Sequence, residues 1–217
     1  MIAGKEKIAE YFEGLLEKHG DHYLALDWKS KESQVLRFSV LLDIISFAKK
    51  KEKFSILDVG CGIAHFYEFL LHATLINNLK INYMGIDISS KMIDFARKKY
   101  PTVPFKVVDL VNDKFDDKFD YVVSSGIFNV KMADLSSHKE SVRKMLSRMH
   151  SLCRFGVSAN FMSQSAIYLV PEDRDPETDK YVFFNEGDVA SWASSISERF
   201  VLRHDYHPGD FTVYMLK

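Results

Sequence analysis

Two helical patterns open the chain. Apolar residues recur at helical spacing from Ile8 to Leu16, and this pattern ends at Gly20. A second helical pattern starts at Ser30, a residue type that caps helix N-termini, and continues to the charge run KKKEK. We therefore expect two amphipathic helices within residues 1–50, and we interpret them as a lid over a binding site.

From Phe54 onward, short apolar runs rich in β-branched residues alternate with helical stretches. This alternation is typical of a parallel sheet that is covered by helices on both faces. A Pro208-Gly209 turn separates the last two runs and predicts a C-terminal antiparallel hairpin. The predicted strands are SILDV, NYMGID, FKVVDL, FDYVVS, GVSANFM, RFVLRHDY and FTVYMLK. The pattern indicates a doubly wound α/β fold with seven strands, mostly parallel.

Helices are predicted between most of these strands. One follows Gly62, and the others are expected at Lys91–Lys99, Ser137–Cys153 and Val189–Ser197. The third has Ser137 and Glu140 in capping-box spacing, so Ser137 is its expected N-cap. Residues 163–187 are too long and too charged for an ordinary connection, and we expect them to form a substrate loop beside the active site.

Composition narrows the class of protein. With 217 residues, 47% of them hydrophobic, the chain suits one domain. A net charge of -1 argues against duplex nucleic acid or an anionic membrane as a partner.

The longest apolar stretch starts at Leu36 and is interrupted by Ser39 and Asp43, so we expect no membrane span. The N-terminus has no secretory signal, so we do not expect export. Cys61 and Cys153 form no disulfide or metal motif, which suggests a cytoplasmic setting. The histidines show no metal-ligand spacing, and no metal is predicted.

Candidate chemistry lies where successive predicted strands end. Gly60 and Gly62 follow the first strand directly, and glycines there let the backbone approach a ligand closely. Asp87 ends the second strand, where a carboxylate can accept hydrogen bonds from the hydroxyls of a ribose. Asp109 ends the third, where it can accept from an adenine amino group. Since the carboxyl ends of parallel strands share one edge, the sequence predicts a nucleoside-binding edge.

From LDVGCG at Leu57 through GIDIS and VVDL to FDYVVSSG, the chain resembles the class I S-adenosylmethionine-dependent methyltransferase superfamily, over roughly residues 50–217. The resemblance implies a Rossmann-like fold and S-adenosyl-L-methionine as the cofactor. It also implies that Asp58 orients the glycine loop and the cofactor's amino group. Two features depart from the usual pattern: Ala64 replaces the third glycine, and HATLINNLK lengthens the connection to the second strand. The predicted cofactor-binding residues are Arg37, Asp58, Gly60, Cys61, Gly62, Asp87, Ile88, Asp109, Leu110 and Ser125, with Arg37 as a candidate partner of the cofactor's carboxylate.

We expect one domain, 1–217, with a helical lid at 1–50 and a cofactor-binding core at 51–217. Methyl transfer is an in-line displacement, for which the protein mainly aligns the reactants and excludes water. A hydroxyl acceptor would need a base, and His204 and His207 are the candidates, with Asp205 available to orient one of them. The alternative is that both histidines cap a hairpin turn. We expect a small-molecule acceptor, methylated at oxygen.

Other functions stay open at this point. A nucleic-acid methyltransferase is disfavoured, because the chain has SGIFN from Ser125 where base-methylating enzymes carry an Asp/Asn-Pro-Pro-aromatic turn. A protein or peptide acceptor could be attracted by the acidic segment PEDRDPETD. A cofactor-binding protein without activity, and an NAD-dependent oxidoreductase, are the remaining alternatives. The sequence does not indicate an oligomeric state.

Overall fold

The computed structural model describes residues 4–47, 53–77, 79–131, 134–166 and 180–217. The helices are α1 (Lys5–His19), α2 (Lys31–Leu42), α3 (His65–Asn77), α4 (Ser90–Lys99), α5 (Leu135–Leu152) and α6 (Glu186–Ile196), with 3-10 turns at Tyr23–Leu26 and Asp43–Phe47. The strands are β1 (Lys53–Val59), β2 (Lys80–Asp87), β3 (Phe105–Val107), β4 (Phe119–Ser124), β5 (Cys153–Met162), β6 (Arg199–Arg203) and β7 (Asp210–Leu216).

The strands form one seven-stranded sheet in the order β3-β2-β1-β4-β5-β7-β6. All neighbouring pairs are parallel except β5 with β7 and β6 with β7, which are antiparallel. The predicted doubly wound α/β fold with a C-terminal antiparallel hairpin is therefore confirmed. The strand order reverses between β1 and β4, and such folds bind ligands in the crevice at this point.

Alternate residues of each strand pack into two different hydrophobic layers, because successive side chains point to opposite faces of a sheet. In β4, Val122 packs with residues of α5 and α6, whereas Tyr121 and Val123 pack with residues of α2, α3 and α4. Both faces are thus covered by helices, and the carboxyl edge of the sheet is left for ligands.

Two predicted helix boundaries are confirmed and one is wrong. The first helix ends before Gly20, and the Ser30 hydroxyl accepts a hydrogen bond from the Ser33 N–H at 3.0 Å, so it caps α2. The predicted N-cap of α5, Ser137, lies inside the helix. The cap is Asp134, whose carboxylate accepts from the Ser137 N–H at 3.1 Å and from the preceding N–H, so the cap lies three residues earlier than predicted.

The third strand is also shorter than predicted. It ends at Val107, and Asp109 lies in a turn where its carboxylate accepts hydrogen bonds from the backbone N–H of Val111 and Asn112. Aspartate side chains commonly bond to the backbone in this way, and the bonds compete with strand pairing. Asp109 nevertheless stays at the carboxyl edge.

The predicted substrate loop is described only at its two ends, since residues 167–179 lie outside the described residues. At these ends Ser163 pairs with Phe184, and Val130 pairs with Tyr181. Phe184 is fully buried in the layer that α5 and α6 cover, so its position in the loop serves packing. In the part of the chain that the structure describes, no helix is both long enough and apolar enough to cross a membrane.

Candidate functional site

A cavity of about 550 Å³ opens at the carboxyl edge, where the strand order reverses. Its walls come from α1, from the segment before α2, from the loops after the first four strands, and from α5. Nine predicted cofactor residues line it: Asp58, Gly60, Cys61, Gly62, Asp87, Ile88, Asp109, Leu110 and Ser125. The fold therefore brings together residues that are up to 67 positions apart, which is the separation of Asp58 and Ser125.

The glycine loop after β1 has backbone conformations that favour glycine, with φ of 74° at Gly60 and 51° at Gly62. A Cβ would lie 2.2 Å from Ile127 Cγ2 at Gly60, and 2.6 Å from Leu26 Cδ2 at Gly62. The loop is tied to β2, because the Gly60 and Cys61 N–H groups both donate to the Ile86 carbonyl. Neither glycine can be replaced without moving a side chain at the cavity wall.

Cys61 contributes backbone to this loop. Its side chain is 5% exposed, and burial raises the pKa of its thiol well above the usual value, with the neighbouring carboxylates of Asp87 and Asp58 adding to the shift. A thiol in such surroundings stays protonated and unreactive.

Asp87 fixes the junction of the glycine loop and β2. One carboxylate oxygen accepts from the Gly62 N–H at 2.9 Å, and the other accepts from the Ser89 N–H at 3.0 Å. Burial raises the pKa of Asp87, and the backbone hydrogen bonds oppose this shift. An ionised carboxylate offers about four lone-pair sites, so Asp87 retains capacity to accept hydrogen bonds from a ligand.

Asp58 is almost completely buried, with 2% of its surface exposed, and accepts a hydrogen bond from the Tyr83 hydroxyl at 2.7 Å. Burial raises the pKa of Asp58 to about 7; the Tyr83 bond opposes the shift and the charge of Asp87 adds to it. Tyr83 was not among the residues predicted for the site. The pairing of β1 with β2 is what brings it beside Asp58, and no local sequence signal marks that pairing.

Asp109 is covered by the first helix. Its carboxylate accepts from Lys5 Nζ at 2.5 Å and from Asn112 Nδ2 at 2.8 Å. Partial burial raises the pKa of Asp109, but the hydrogen bonds from Lys5 and Asn112 outweigh it, so the net shift is downward. The carboxylate is therefore ionised near neutral pH, and in that form both of its oxygens accept hydrogen bonds.

Further contacts dock α1 over the ends of β2 and β3. Glu13 accepts a hydrogen bond from the Ser89 hydroxyl at 2.7 Å, and Glu17 pairs with Lys91 at 2.8 Å. The apolar side of α1, including Ile8 and Phe12, lines the cavity. The first helix thus forms one wall of the site.

Arg37 does not line the cavity. Its guanidinium is buried, pairs with the Asp210 carboxylate and donates to the Ser33 carbonyl at 2.9 Å. It also lies 5.6 Å from the ring centroid of Trp28, which does line the cavity. Arg37 Nε has no hydrogen-bond partner among the described residues. The predicted contact of Arg37 with the cofactor stays a prediction.

His204 and His207 also lie outside the cavity lining. His204 Nε2 is 3.2 Å from the Pro208 carbonyl oxygen, while His207 Nδ1 is 3.0 Å from the Gly209 nitrogen and 2.9 Å from Asp210. These are the contacts of the alternative interpretation, in which the histidines stabilise the hairpin turn. Their predicted catalytic role gains no support from this placement.

A group of potential metal ligands lies elsewhere in the described part of the chain. The ligand atoms of Asp21, His65 and Glu68 are within 4.8 Å of one another. Lys99 Nζ already lies between the carboxylates, 2.8 Å from Asp21 and 2.7 Å from Glu68. The group is therefore an ion-pair network in this structure.

The family model and the curated relatives that match this chain are all described as methyltransferases. Residues 56–156 match a family model described as a methyltransferase domain. "Putative methyltransferase 235L" of Invertebrate iridescent virus 6 is 34% identical over 96 residues, which are 44% of this chain and 34% of that protein. "Putative methyltransferase Rv1506c" of Mycobacterium tuberculosis is 28% identical over 170 residues, which are 76% of this chain and 95% of that protein. The chain thus spans about a third of the viral relative and nearly all of the mycobacterial one.

A solved structure extends the similarity to the whole chain. The crystal structure of magnesium protoporphyrin IX methyltransferase from Synechocystis PCC 6803 with bound SAM matches with a TM-score of 0.64 and 17% identity. The match covers 100% of this chain and 98% of that chain. At this level of identity the likeness concerns the fold.

Proposed function

The chain belongs to the class I S-adenosylmethionine-dependent methyltransferase superfamily, and from this premise we propose that it transfers a methyl group from S-adenosyl-L-methionine to an oxygen atom of a small-molecule acceptor. The observation that carries the proposal is the cavity at the strand-order reversal, which gathers nine residues predicted to bind the cofactor. When bound, the cofactor supplies an electrophilic methyl group on a sulfonium sulfur.

The donor and acceptor groups of the cavity fit the parts of this cofactor. We assign Asp58 to the cofactor's ammonium group, and Asp87 to the two ribose hydroxyls. We assign Asp109, with the backbone of Leu110 and the side chain of Ile88, to the adenine. The glycine loop leaves room that a Cβ would fill, and it can meet the methionine part of the cofactor.

Arg37 is our candidate for the cofactor's carboxylate. Its unpartnered Nε and its position beside Trp28 support this assignment. Arg37 itself does not line the cavity whereas Trp28 does, so the contact requires a rearrangement of this part of the wall.

Apolar side chains around the remaining cavity support a small-molecule acceptor. They include Trp28, Phe38, Ile127, Phe128 and Met145. A cavity of this size and character encloses a small ligand and excludes water from the reacting atoms. We also propose that residues 1–217 act as one domain with α1 as part of a lid. The two free, buried cysteines accord with a cytoplasmic setting.

Isothermal titration with S-adenosylmethionine, S-adenosylhomocysteine and NAD tests the proposal. We expect both adenosyl ligands to bind with micromolar affinity and NAD to show no binding. Asp87→Ala should weaken adenosyl binding at least about a hundredfold, near 2.7 kcal/mol, because it removes charged hydrogen bonds to the ligand and to the glycine loop.

Asp94→Ala is the matched control, since Asp94 is an exposed carboxylate on α4 that pairs with Arg97 at 3.4 Å across one helical turn. It should bind the adenosyl ligands like the unaltered chain, and circular dichroism should show both variants folded. Binding of NAD alone, or equal affinities of the two variants, would contradict the proposed cofactor site.

A further inference from the structure

Leu26 and Trp28 close one side of the cavity, and we call this pair the ceiling. Both side chains line the cavity. A Cβ at Gly62 would lie 2.6 Å from Leu26 Cδ2, and a Cβ at Gly126 would lie 3.5 Å from Trp28 Cζ2. Leu26 therefore rests on the glycine loop, and Trp28 rests on the segment that follows β4. The ceiling thus covers the loop that we assign to the methionine part of the cofactor.

Asp27 separates the two ceiling residues and has an uncommon backbone conformation. Its φ of 61° and ψ of 27° are left-handed, and among residues with a side chain, aspartate and asparagine adopt this conformation most readily. The Asp27 N–H donates to the Leu24 carbonyl at 3.1 Å, which ends the 3-10 turn. Asp27 itself does not line the cavity, so its carboxylate makes its contacts outside the cavity lining.

Three donors converge on the Asp27 carboxylate. It accepts from the Tyr181 hydroxyl at 2.7 Å and pairs with Lys180 Nζ at 2.9 Å. Tyr11 of α1 is the third donor: burial raises the pKa of its hydroxyl, and the charge of Asp27 and a hydrogen bond to it add to the shift. Lys180 Nζ also lies 4.6 Å from the ring centroids of both tyrosines. We call these four residues, Tyr11, Asp27, Lys180 and Tyr181, the latch.

The two charged members of the latch are mostly shielded from solvent. The side chain of Asp27 is 23% exposed and that of Lys180 is 21% exposed. Shielding reduces screening by water and salt, and a cation above aromatic rings gains further attraction. Hydrogen bonds between ionised groups are about twice as strong as those between neutral groups. The latch is therefore stronger than an ion pair on an open surface.

The far side of the latch is fixed to the core. The Lys180 carbonyl accepts from the Lys131 N–H at 2.8 Å, and the Val182 N–H donates to the Asn129 carbonyl at 2.8 Å. Val182 is 3% exposed and packs in the layer that α5 and α6 cover. These bonds join residues 180–182 to the segment after β4, which also supplies part of the cavity wall. The latch thus ties α1 and the ceiling to a firmly packed part of the chain.

We propose that Asp27 is a positioning residue that holds the ceiling closed over the bound cofactor, and that the latch must open before the cofactor or its product leaves. This inference rests on the proposed function and concerns the control of ligand release from the same site. Leu26 and Trp28 flank Asp27 directly, so neither can move far from the cavity while donors from α1 and residues 180–181 hold the carboxylate between them. Closure of this kind excludes water, and its reversal often limits turnover.

The test uses Trp28 as a reporter of the ceiling. The chain has two tryptophans, and the second, Trp192 on α6, does not line the cavity. Trp192→Phe leaves Trp28 as the sole tryptophan and is the background for all variants. Acrylamide quenching of the ligand-free protein measures how accessible Trp28 is. Rapid mixing with a series of S-adenosylhomocysteine concentrations gives the association rate constant from the slope and the dissociation rate constant from the intercept.

Two variants release the latch from opposite sides. Asp27→Gly removes the carboxylate, and glycine adopts a φ of 61° without strain. We expect S-adenosylhomocysteine to dissociate at least about tenfold faster and quenching of Trp28 to rise at least about twofold. Lys180→Met removes the ammonium but keeps an apolar stem, and should speed dissociation at least about threefold. Because Lys180 acts through Asp27, the double variant should dissociate about as fast as Asp27→Gly alone.

The pair of Lys139 with Asp188 provides the matched control. It joins α5 to α6 at 2.7 Å, and neither residue lines the cavity. Lys139→Met should leave both the dissociation rate and the quenching of Trp28 unchanged. Urea unfolding of Lys139→Met and Lys180→Met compares the global stability of two variants that each lose one lysine–aspartate pair. Faster dissociation in Lys180→Met alone, at similar global stability, supports the latch.

The outcomes distinguish this inference from the function on which it rests. If S-adenosylhomocysteine fails to bind the unaltered chain, the proposed function is wrong, and the quenching of Trp28 alone decides on the latch. If it binds but neither variant changes dissociation or quenching, the latch is wrong. If only Asp27→Gly has an effect, backbone flexibility at this position explains it, and the latch is again wrong. If Asp27→Gly does not fold, Lys180→Met decides: an unchanged dissociation rate contradicts the proposal.

Discussion

The two halves of the carboxyl edge are built differently. In the cofactor half, at the ends of β1, β2 and β3, Asp87 and Asp109 each accept from the backbone N–H two residues later, in addition to their bonds with Gly62 and Lys5. In the acceptor half, at the ends of β4, β5 and β6 and the start of β7, groups far apart in sequence hold one another. Arg37 pairs with Asp210, 173 positions away, and Gly126 donates to Asn160, 34 positions away.

The two halves therefore differ in what determines the positions of their residues: local sequence in the first, and tertiary packing in the second. A carboxylate held by its own turn keeps its position as long as the local sequence is intact, so its role follows from a short motif. A buried pair between distant elements exists only after the chain has folded, so it depends on the packing of α2 against β5 and β7. Variants should therefore affect ligand binding in the first half and stability in the second.

The largest effect is expected in the acceptor half. Asp210→Ala leaves the Arg37 guanidinium buried without its charged partner and should lower the free energy of unfolding by about 3–5 kcal/mol. The double variant Arg37→Met/Asp210→Leu removes both charges and should recover most of this loss. Urea unfolding of the cofactor-free protein measures both. A loss below about 1 kcal/mol in the single variant would show that the pair does not hold the acceptor half together.

An intermediate effect is expected for Asp58 in the cofactor half. With a pKa near 7, Asp58 is about one-tenth ionised at pH near 6 and about nine-tenths ionised at pH near 8. If the ionised form binds the cofactor's ammonium group, affinity for S-adenosylmethionine should rise about tenfold between these pH values. Asp58→Asn, which keeps a group that can accept from Tyr83, should remove this dependence. Titration calorimetry at both pH values measures it, and a flat profile in the unaltered chain would contradict the assignment of Asp58.

The raised pKa of Asp58 has the opposite effect on the stability of the cofactor-free protein, which should fall as pH rises. The pKa of Asp58 is higher in the folded chain than in the unfolded chain, where an aspartate titrates near pH 4, so folding favours the protonated form. The contribution of Asp58 to stability is present below that pH and is lost as pH rises toward about 7. Comparing Asp58→Asn with the unaltered chain by thermal unfolding across this range isolates the contribution.

The smallest effect is expected for Lys5, whose pair with Asp109 is exposed to solvent on the lysine side. Lys5→Ala should weaken cofactor binding by less than about threefold, because exposed ion pairs contribute little, while amide hydrogen exchange in α1 becomes faster. Lys7→Ala on the same helix is the matched control. A tenfold loss of affinity would instead mean that Lys5 contacts the cofactor, and a gain would mean that it competes with the adenine for Asp109.

Much of the cofactor half was predictable because its signals are short. The glycine loop, Asp58 and Asp87 lie in two motifs that each fit within one strand and one turn, and the structure brings them to one cavity. One prediction was wrong because two polar residues close together in the sequence could each cap the same helix. Ser137 was predicted as the cap of α5, but Asp134 also can cap and does so, because its carboxylate reaches two N–H groups at once.

The acceptor half was less predictable, since its residues carry no motif. Histidine suits base catalysis, which makes His204 and His207 candidates from the sequence, but the turn that they occupy places both outside the cavity lining. Asn160 gave no signal, because an asparagine within a buried strand shows its importance only through the partner that its amide finds across the sheet.

The sequence by itself determined the order of strands and helices and the placement of the candidate cofactor residues at one edge of the sheet, because hydrophobic periodicity and short turn motifs are local properties of the chain. The tertiary structure alone decided that Tyr83 reaches Asp58, that α1 covers Asp109, that Arg37 pairs with Asp210, and that the Asn160 amide accepts from the Gly126 N–H. Each of these contacts joins elements whose relative positions follow from strand order and packing, so no single segment of the sequence encodes them.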